Sequence, residues 1–250
     1  MSPITTDTPA VEKMPEGSPP DIVTLNPPLR ATHPKTVVGI FYLSTMACVL
    51  IGWIYYYLCI LLPWVLLLLP MEIIGIAFVF LLSSLFLVRI AVGILSRKYP
   101  PAEGTFERDG PEQRAYEARH FLKYYAIWLT RTAMFPWIDK IAYAVLGVHT
   151  GKSVVLHEAW VDTELVTIGD FSMMGMNSTV MSHALYQHRF VARKTTIDGH
   201  SIIGAYTVVA PGTHVGKLAV LGANSGTSIG EEIEPGFLYG GNPARKLKHV

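Results

Sequence analysis

Only two cysteines, Cys48 and Cys59, occur in the 250 residues, and both fall inside one apolar block. That pattern excludes a disulfide framework and a cysteine-rich zinc site, and leaves them as small, soft packing residues. Charge is scarce too: Asp, Glu, Lys and Arg make up 16% of the chain and the formal net charge is +1. With no basic stripe, nucleic acid is not an expected partner. The first thirty-odd residues lack the positive-then-apolar design of a cleavable signal peptide. They are rich in Pro, Ser, Thr and acidic residues, too polar to offset chain entropy, so 1–35 reads as a disordered segment.

Apolar side chains are abundant, at 50% of the chain. They concentrate in two blocks, 37–62 and 73–95, each longer than the roughly 20 residues that cross a bilayer core. Pro63, Pro70 and Glu72 mark the turn between them, so 36–97 reads as a two-span transmembrane hairpin; a long hairpin that does not cross fully is the competing reading. Arg30 and Lys35 precede it and Arg97 and Lys98 follow it. The positive-inside rule then places both flanks, and the C-terminal domain, in the cytosol, which leaves the sequon at Asn177 unmodified. Arg89, two turns before Arg97, is expected to snorkel to the interface.

Residues 98–147 read as a linker, from Ser96 to about Gly110, followed by amphipathic helices over 112–132 and 137–146. Aromatics alternate there with Arg and Lys, which suits a membrane surface or a cap on the domain beyond.

From 148 onward neither the helical nor the strand period holds. An aliphatic residue returns every six positions at Ile197, Ile203, Val209, Val215 and Leu221, usually followed by Gly, Ala or Asp. An earlier run has Ile168, Met174 and Val180, and a weaker start passes through Val148, Val154, Trp160 and Val166 before a two-residue slip. Six-residue repeats belong to parallel β-helix solenoids, so 148–250 reads as a β-solenoid of triangular turns. After Val180 the rhythm breaks at His183 and resumes at Ile197, leaving 184–195, with Tyr186, His188, Arg189, Arg193 and Lys194, to loop outward. Long loops on rigid scaffolds usually carry function.

These features resemble the hexapeptide-repeat acyltransferases. The closing Gly240-Gly241-Asn242-Pro243-Ala244-Arg245 is similar to their G-N-P-A-R/K signature. The segments 163–170 and 180–189, Phe135-Pro136-Trp137 and the paired spans resemble the membrane-embedded terminal region of poly-lysine synthetase-like nonribosomal peptide synthetases. The chain departs from that pattern at His188, where the family loop usually has an acidic residue, and it carries no adenylation or carrier domain. The resemblance implies a left-handed parallel β-helix that forms a homotrimer, with His183 in a cleft against a neighbouring subunit. It implies acyl or aminoacyl transfer from a coenzyme A thioester, or a carrier-bound thioester, to an amine or hydroxyl on a small molecule or peptide.

His183 stands at the position of the catalytic histidine in that family, and imidazole suits a general base because it titrates near neutrality. Asp162 or Glu164 is expected to orient it. Asn177 either positions substrate or turns a corner. Tyr186, His188 and Arg189 form the expected acceptor loop. The resemblance assigns Gly204, Ala205, Gly222 and Ala223 to the pantetheine groove, and Arg245 and Lys246 to phosphate. Two other readings stand beside this one. One is a non-catalytic trimeric scaffold for a biosynthetic complex. The other is a zinc-dependent carbonic anhydrase-like helix through His183 and His188, which lacks context at His149 and His157, so no metal is expected.

Overall fold

The computed structural model describes residues 34–132, 138–156, 158–186 and 189–250. The expected disordered segment (save its last two residues), Phe135-Pro136-Trp137, His157 and His188 lie outside those residues. Helix α1 (Pro34–Leu61), a 3-10 turn (Pro63–Leu68) and α2 (Leu69–Lys98) form the apolar hairpin. The ambiguous apolar stretch between the blocks is that turn. Pro70, in the first turn of α2, leaves no helical hydrogen bond unmade. Ser44 and Ser84 meet at 2.9 Å in an otherwise apolar seam, and the Tyr55 hydroxyl donates to the Val65 carbonyl at 3.0 Å, so the helices run antiparallel. Both are long and apolar enough to cross a membrane, and only 11% of each apolar window is buried. Phe41, Leu50, Trp53 and Phe86 are among the side chains left exposed.

The expected linker contains a strand, β1 (Gly104–Glu107), before α3 (Pro111–Arg131) and α4 (Ile138–Leu146). These two helices form a cap. Leu122, Ala126, Ile127, Ala142 and Tyr143 belong to one core that also holds Leu85 and Val88 of α2 and Val154 and Leu156 beyond. Arg89 does not snorkel freely: its guanidinium donates to the Val145 carbonyl at the end of α4, a carbonyl the helix itself leaves unpaired.

Short strands follow: β2 (His149–Thr150), β3 (Val155–Leu156), β4 (Trp160–Val161), β5 (Val166–Ile168), β6 (Met173–Met174) and β7 (Thr179–Val180). After a hairpin, β8 (His183–Tyr186) and β9 (Arg189–Ala192), come β10 (Thr195–Ile197), β11 (Ile202–Ile203), β12 (Val208–Val209), β13 (His214–Val215), β14 (Val220–Leu221), β15 (Glu232–Ile233), β16 (Phe237–Gly240) and β17 (Arg245–His249). The chain visits three sheets in rotation: β2, β5, β10, β13 and β15 on the first face, β3, β6, β11, β14 and β16 on the second, β4, β7 and β12 on the third. Every pairing between turns is parallel, and Thr196 meets His214 as Ile202 meets Val220, a step of 18 residues. Strand β17 turns back antiparallel on β16 and ends the stack.

Ile168, Ile197, Val215 and Ile233 stack down the inside of the first face, and Leu156, Met174, Ile203 and Leu221 down the second, all buried. The glycine that follows such a residue has a steric cause. A Cβ on Gly169 would lie 2.4 Å from the Gly199 nitrogen, and one on Gly204 2.4 Å from the Ala223 nitrogen. The first turn is phased differently from the sequence expectation. Leu156 and Val161 occupy the inner columns, while Trp160 faces outward and is half-buried. A column that must stack on Val180 has no room for an indole. Trp160 instead stacks on Tyr124 of α3, with rings 5.3 Å apart at 14°.

The segment expected to loop out is itself folded. β8 and β9 pair antiparallel, and β1 adds a third strand along β9. Ala184, Leu185, Phe190 and Val191 are buried, with Phe190 against Tyr116 of α3.

Candidate active site

His183 is the first residue of β8, where the hairpin leaves the third face. Its Nδ1 lies 2.6 Å from Oδ2 of Asp162 and 2.7 Å from the Tyr116 hydroxyl. Asp162 immediately follows β4, one turn below, and its Oδ2 also accepts from the Ser182 backbone N–H at 2.7 Å and hydroxyl at 3.1 Å. Imidazole and carboxylate are both buried. Burial by itself pushes the Asp162 carboxyl up. His183, through charge and hydrogen bond, together with His120 and the Ser182 N–H, outweighs it and holds the group well below the usual range. Asp162 is therefore ionised at neutral pH.

Helix α3 supplies the other wall. Tyr116, His120 and Tyr124 lie on one face at the i, i+4, i+8 spacing. The Tyr116 hydroxyl is 3.4 Å from the His120 Nδ1, and that nitrogen is 3.9 Å from Oδ1 of Asp162. Burial, then the charges of Asp162 and Glu164, raise the Tyr116 phenol well above its ordinary value, so it keeps its proton. Burial lowers the imidazole of His120. Below it, α3, the third face and α4 enclose a cleft of about 420 Å³ lined by His183, His120, Tyr124, Ile127, Trp160 and Met181, among others. Arg131 lies over the Trp160 ring at 3.6 Å. Within this chain the walls of the cleft come from α3, α4 and the third face.

Glu164 is two residues from Asp162 but faces away from His183. It takes a bidentate pair from Arg119 at 2.7 and 2.9 Å and a third bond from Lys123 at 3.1 Å. Burial raises the Glu164 carboxyl, but the Arg119 hydrogen bond and the Lys123 charge more than reverse it. Burial lowers the Lys123 ammonium, opposed by Glu164. The carboxylate within reach of His183 is Asp162 alone of the two expected.

Asn177 is exposed at a corner, with φ of 53°, a left-handed conformation that Asn tolerates. Tyr186 and Arg189 pair at the hairpin tip and are not among the residues that line this cleft. Gly204 and Ala205 sit at a corner directly over Gly222 and Ala223 of the next turn. Arg245 is exposed on β17, whereas Lys246 is held by Glu234 at 2.5 Å and lies 3.5 Å from the Phe237 ring centroid. Among the described residues no group of three or more His, Cys, Asp or Glu is arranged to hold a metal ion. Sequence reasoning missed Tyr116 and His120, although their spacing with Tyr124 on a polar helix was a readable signal.

No family model matches the chain. Over 82 residues it is 33% identical to a Bacillus subtilis (strain 168) protein named "Putative acetyltransferase YvoF", a match covering 33% of this chain and 46% of that one. Over 125 residues it is 26% identical to the galactoside O-acetyltransferase of Escherichia coli (strain K12), covering 46% and 61% respectively. The chain is similar to hexapeptide-repeat acyltransferases. It spans about half to three-fifths of the length of these curated relatives. A maltose O-acetyltransferase structure from Clostridium difficile 630 aligns with a TM-score of 0.49 at 14% identity, over 60% of this chain and 94% of that one.

Proposed function

We propose that the protein is a membrane-anchored acyltransferase that moves an acyl group from a thioester to a hydroxyl or amine. The observation that carries the reading is the buried His183–Asp162 pair lining a cleft. With Nδ1 engaged by Asp162 and Tyr116, Nε2 is the nitrogen that takes the acceptor's proton. The acceptor oxygen or nitrogen bonds to the thioester carbonyl carbon as that proton leaves. Collapse of the tetrahedral intermediate breaks the C–S bond, the thiolate recovers the proton from the imidazolium, and acylated acceptor and thiol depart. Asp162 fixes the tautomer and steadies the imidazolium; Tyr116, still protonated, holds both in place.

The donor we favour is a coenzyme A thioester, in keeping with relatives named acetyltransferases; a carrier-bound aminoacyl thioester presents the same reacting atoms. Gly204, Ala205, Gly222 and Ala223 offer a corner edge without bulky side chains for a pantetheine arm, and Arg245 a cation for phosphate. Lys246 is a poorer phosphate ligand because Glu234 already holds it. We also infer a left-handed winding and a homotrimer. An apolar column of Val155, Met173 and Ile202 runs exposed down the second face, a surface suited to a second copy. The apolar hairpin supports two membrane spans, with the coil in the cytosol.

The test is His183→Ala in the full chain, with thiol release from acetyl coenzyme A as the readout. Turnover per folded molecule should fall by ~10²–10⁴, and the melting point should also drop because Asp162 loses its buried partner. An undiminished rate would remove His183 from the chemistry. Absence of thioester turnover and of coenzyme A protection against heat in the unmodified protein would favour the scaffold reading.

A further inference from the structure

We propose that the acceptor is a single-chain amphiphile with a hydroxyl head, drawn from the bilayer itself, its head at His183 and its tail on the wall formed by Tyr124, Ile127 and Trp160. The inference rests on the acyl-transfer reading and adds the class and source of the acceptor.

Three observations point this way. The first is direction. Arg119 donates to the carbonyl of Tyr99, just past the end of α2, at 2.7 Å. One turn further along α3, Lys123 shares a cavity with Val92, Gly93 and Ser96, and Ala126 and Ile127 share a core with Val88 and Leu85. Helix α3 therefore runs back along α2, from its polar end toward its apolar middle. The second is a chemical gradient along the same face of α3. Tyr116 and His120 sit beside the His183–Asp162 pair, whereas Tyr124, Ile127 and Trp128 continue toward the apolar middle of α2. The third is exposure. Tyr124, which lines the cleft, and Trp128, one turn further along α3, leave apolar surface uncovered, as does Ile141 of α4.

A water-soluble acceptor gains nothing from such a wall. An alkyl chain buries against it while its hydroxyl reaches Nε2, and a hydroxyl, unlike a free amine, needs a base at the moment of attack. The proton goes to His183, the new ester bond forms at the thioester carbonyl carbon, and the thiol leaves with the proton returned.

The experiment places the full chain in phosphatidylcholine nanodiscs with acetyl coenzyme A and a hexadecanol that carries a diazirine in its chain. After illumination, labelled peptides are mapped by mass spectrometry, and the unlabelled probe pool is searched for its acetate ester. The expected result is labelling of the peptides holding Tyr124–Ile127 and Trp160, competed away by excess unmodified hexadecanol and lost in Tyr124→Asp. The competition arm uses the unmodified protein, so a misfolded variant does not spoil the test. Labelling confined to α1 and α2, with short soluble alcohols acetylated as well as hexadecanol, would overturn the amphiphile and leave acyl transfer standing. Saturable labelling of the cleft with no ester formed from any alcohol would instead remove the transfer reading and with it the acceptor role.

Discussion

Asp162 and Glu164 are two residues apart, equally buried and both ionised, yet their environments give them different work. Asp162 answers to an imidazole and Glu164 to two fixed cations. Removing one member of a buried charge cluster leaves the others unpaired, at a cost of about 3–5 kcal/mol. Glu164→Ala should therefore lower thermal stability sharply, while the folded fraction retains far more turnover than His183→Ala; a parallel melt and rate assay checks both. Asp162 makes a pH prediction. Its folded carboxyl titrates below the unfolded value of about 3.9, so the stability it contributes is complete above that range and is lost as pH falls through the folded value. Asp162→Asn should be less stable at neutral pH but show a shallower loss of melting temperature below about pH 4 than the unmodified protein. A steeper loss would show that the carboxylate is not stabilised as described.

At the level of elements, the glycines divide into two kinds. Gly204 has the next turn's backbone at 2.4 Å from a would-be Cβ, whereas Gly222 meets nothing nearer than 3.4 Å. Gly204→Ala should destabilise by about 1–3 kcal/mol or more through overpacking, and Gly222→Ala should stay within about 0.5 kcal/mol, as measured by denaturant unfolding. Such steric demand is why the repeat was legible: pairs such as Ile168-Gly169 and Ile203-Gly204 announce an inward aliphatic residue followed by a crowded corner. The first turn was legible only in outline. Each face turns two alternate residues inward, and in most later turns the earlier one is small, as Ser201 is before Ile203, although Val166 before Ile168 is not. In the first turn Val154 and Leu156 are both large and both buried, so spacing alone could not choose between them. Strand β1 was hidden for another reason. Its partner β9 lies far along the chain, and nothing in Gly104–Glu107 itself specifies that pairing. The fold of the cleft's second wall was hidden likewise, because a helix rich in Lys, Arg and aromatics suits a bilayer surface and a protein face equally.

For the whole molecule, the hairpin and the coil share a single core. Ile40, Leu85 and Val88 are continuous through Leu122 and Tyr143 with Val154 and Ile168. Removing residues 34–98 should therefore not release a well-behaved soluble enzyme. It uncovers one face of α3 and α4 and removes the Arg89 contact with Val145, so size-exclusion chromatography should show aggregation even after the apolar spans are gone. A monodisperse, fully active fragment would contradict the shared core.

The fixed pitch restricts how such a chain can grow over evolutionary time. A few residues added within a face would throw every later aliphatic side chain off its column, so length should change among descendants in blocks of one full circuit. Other additions must sit where a segment can fold away outside. Between Val180 and Ile197 this chain has done so: Ile168 pairs with Ile197, 29 residues on rather than 18, and the surplus is the hairpin that begins with His183.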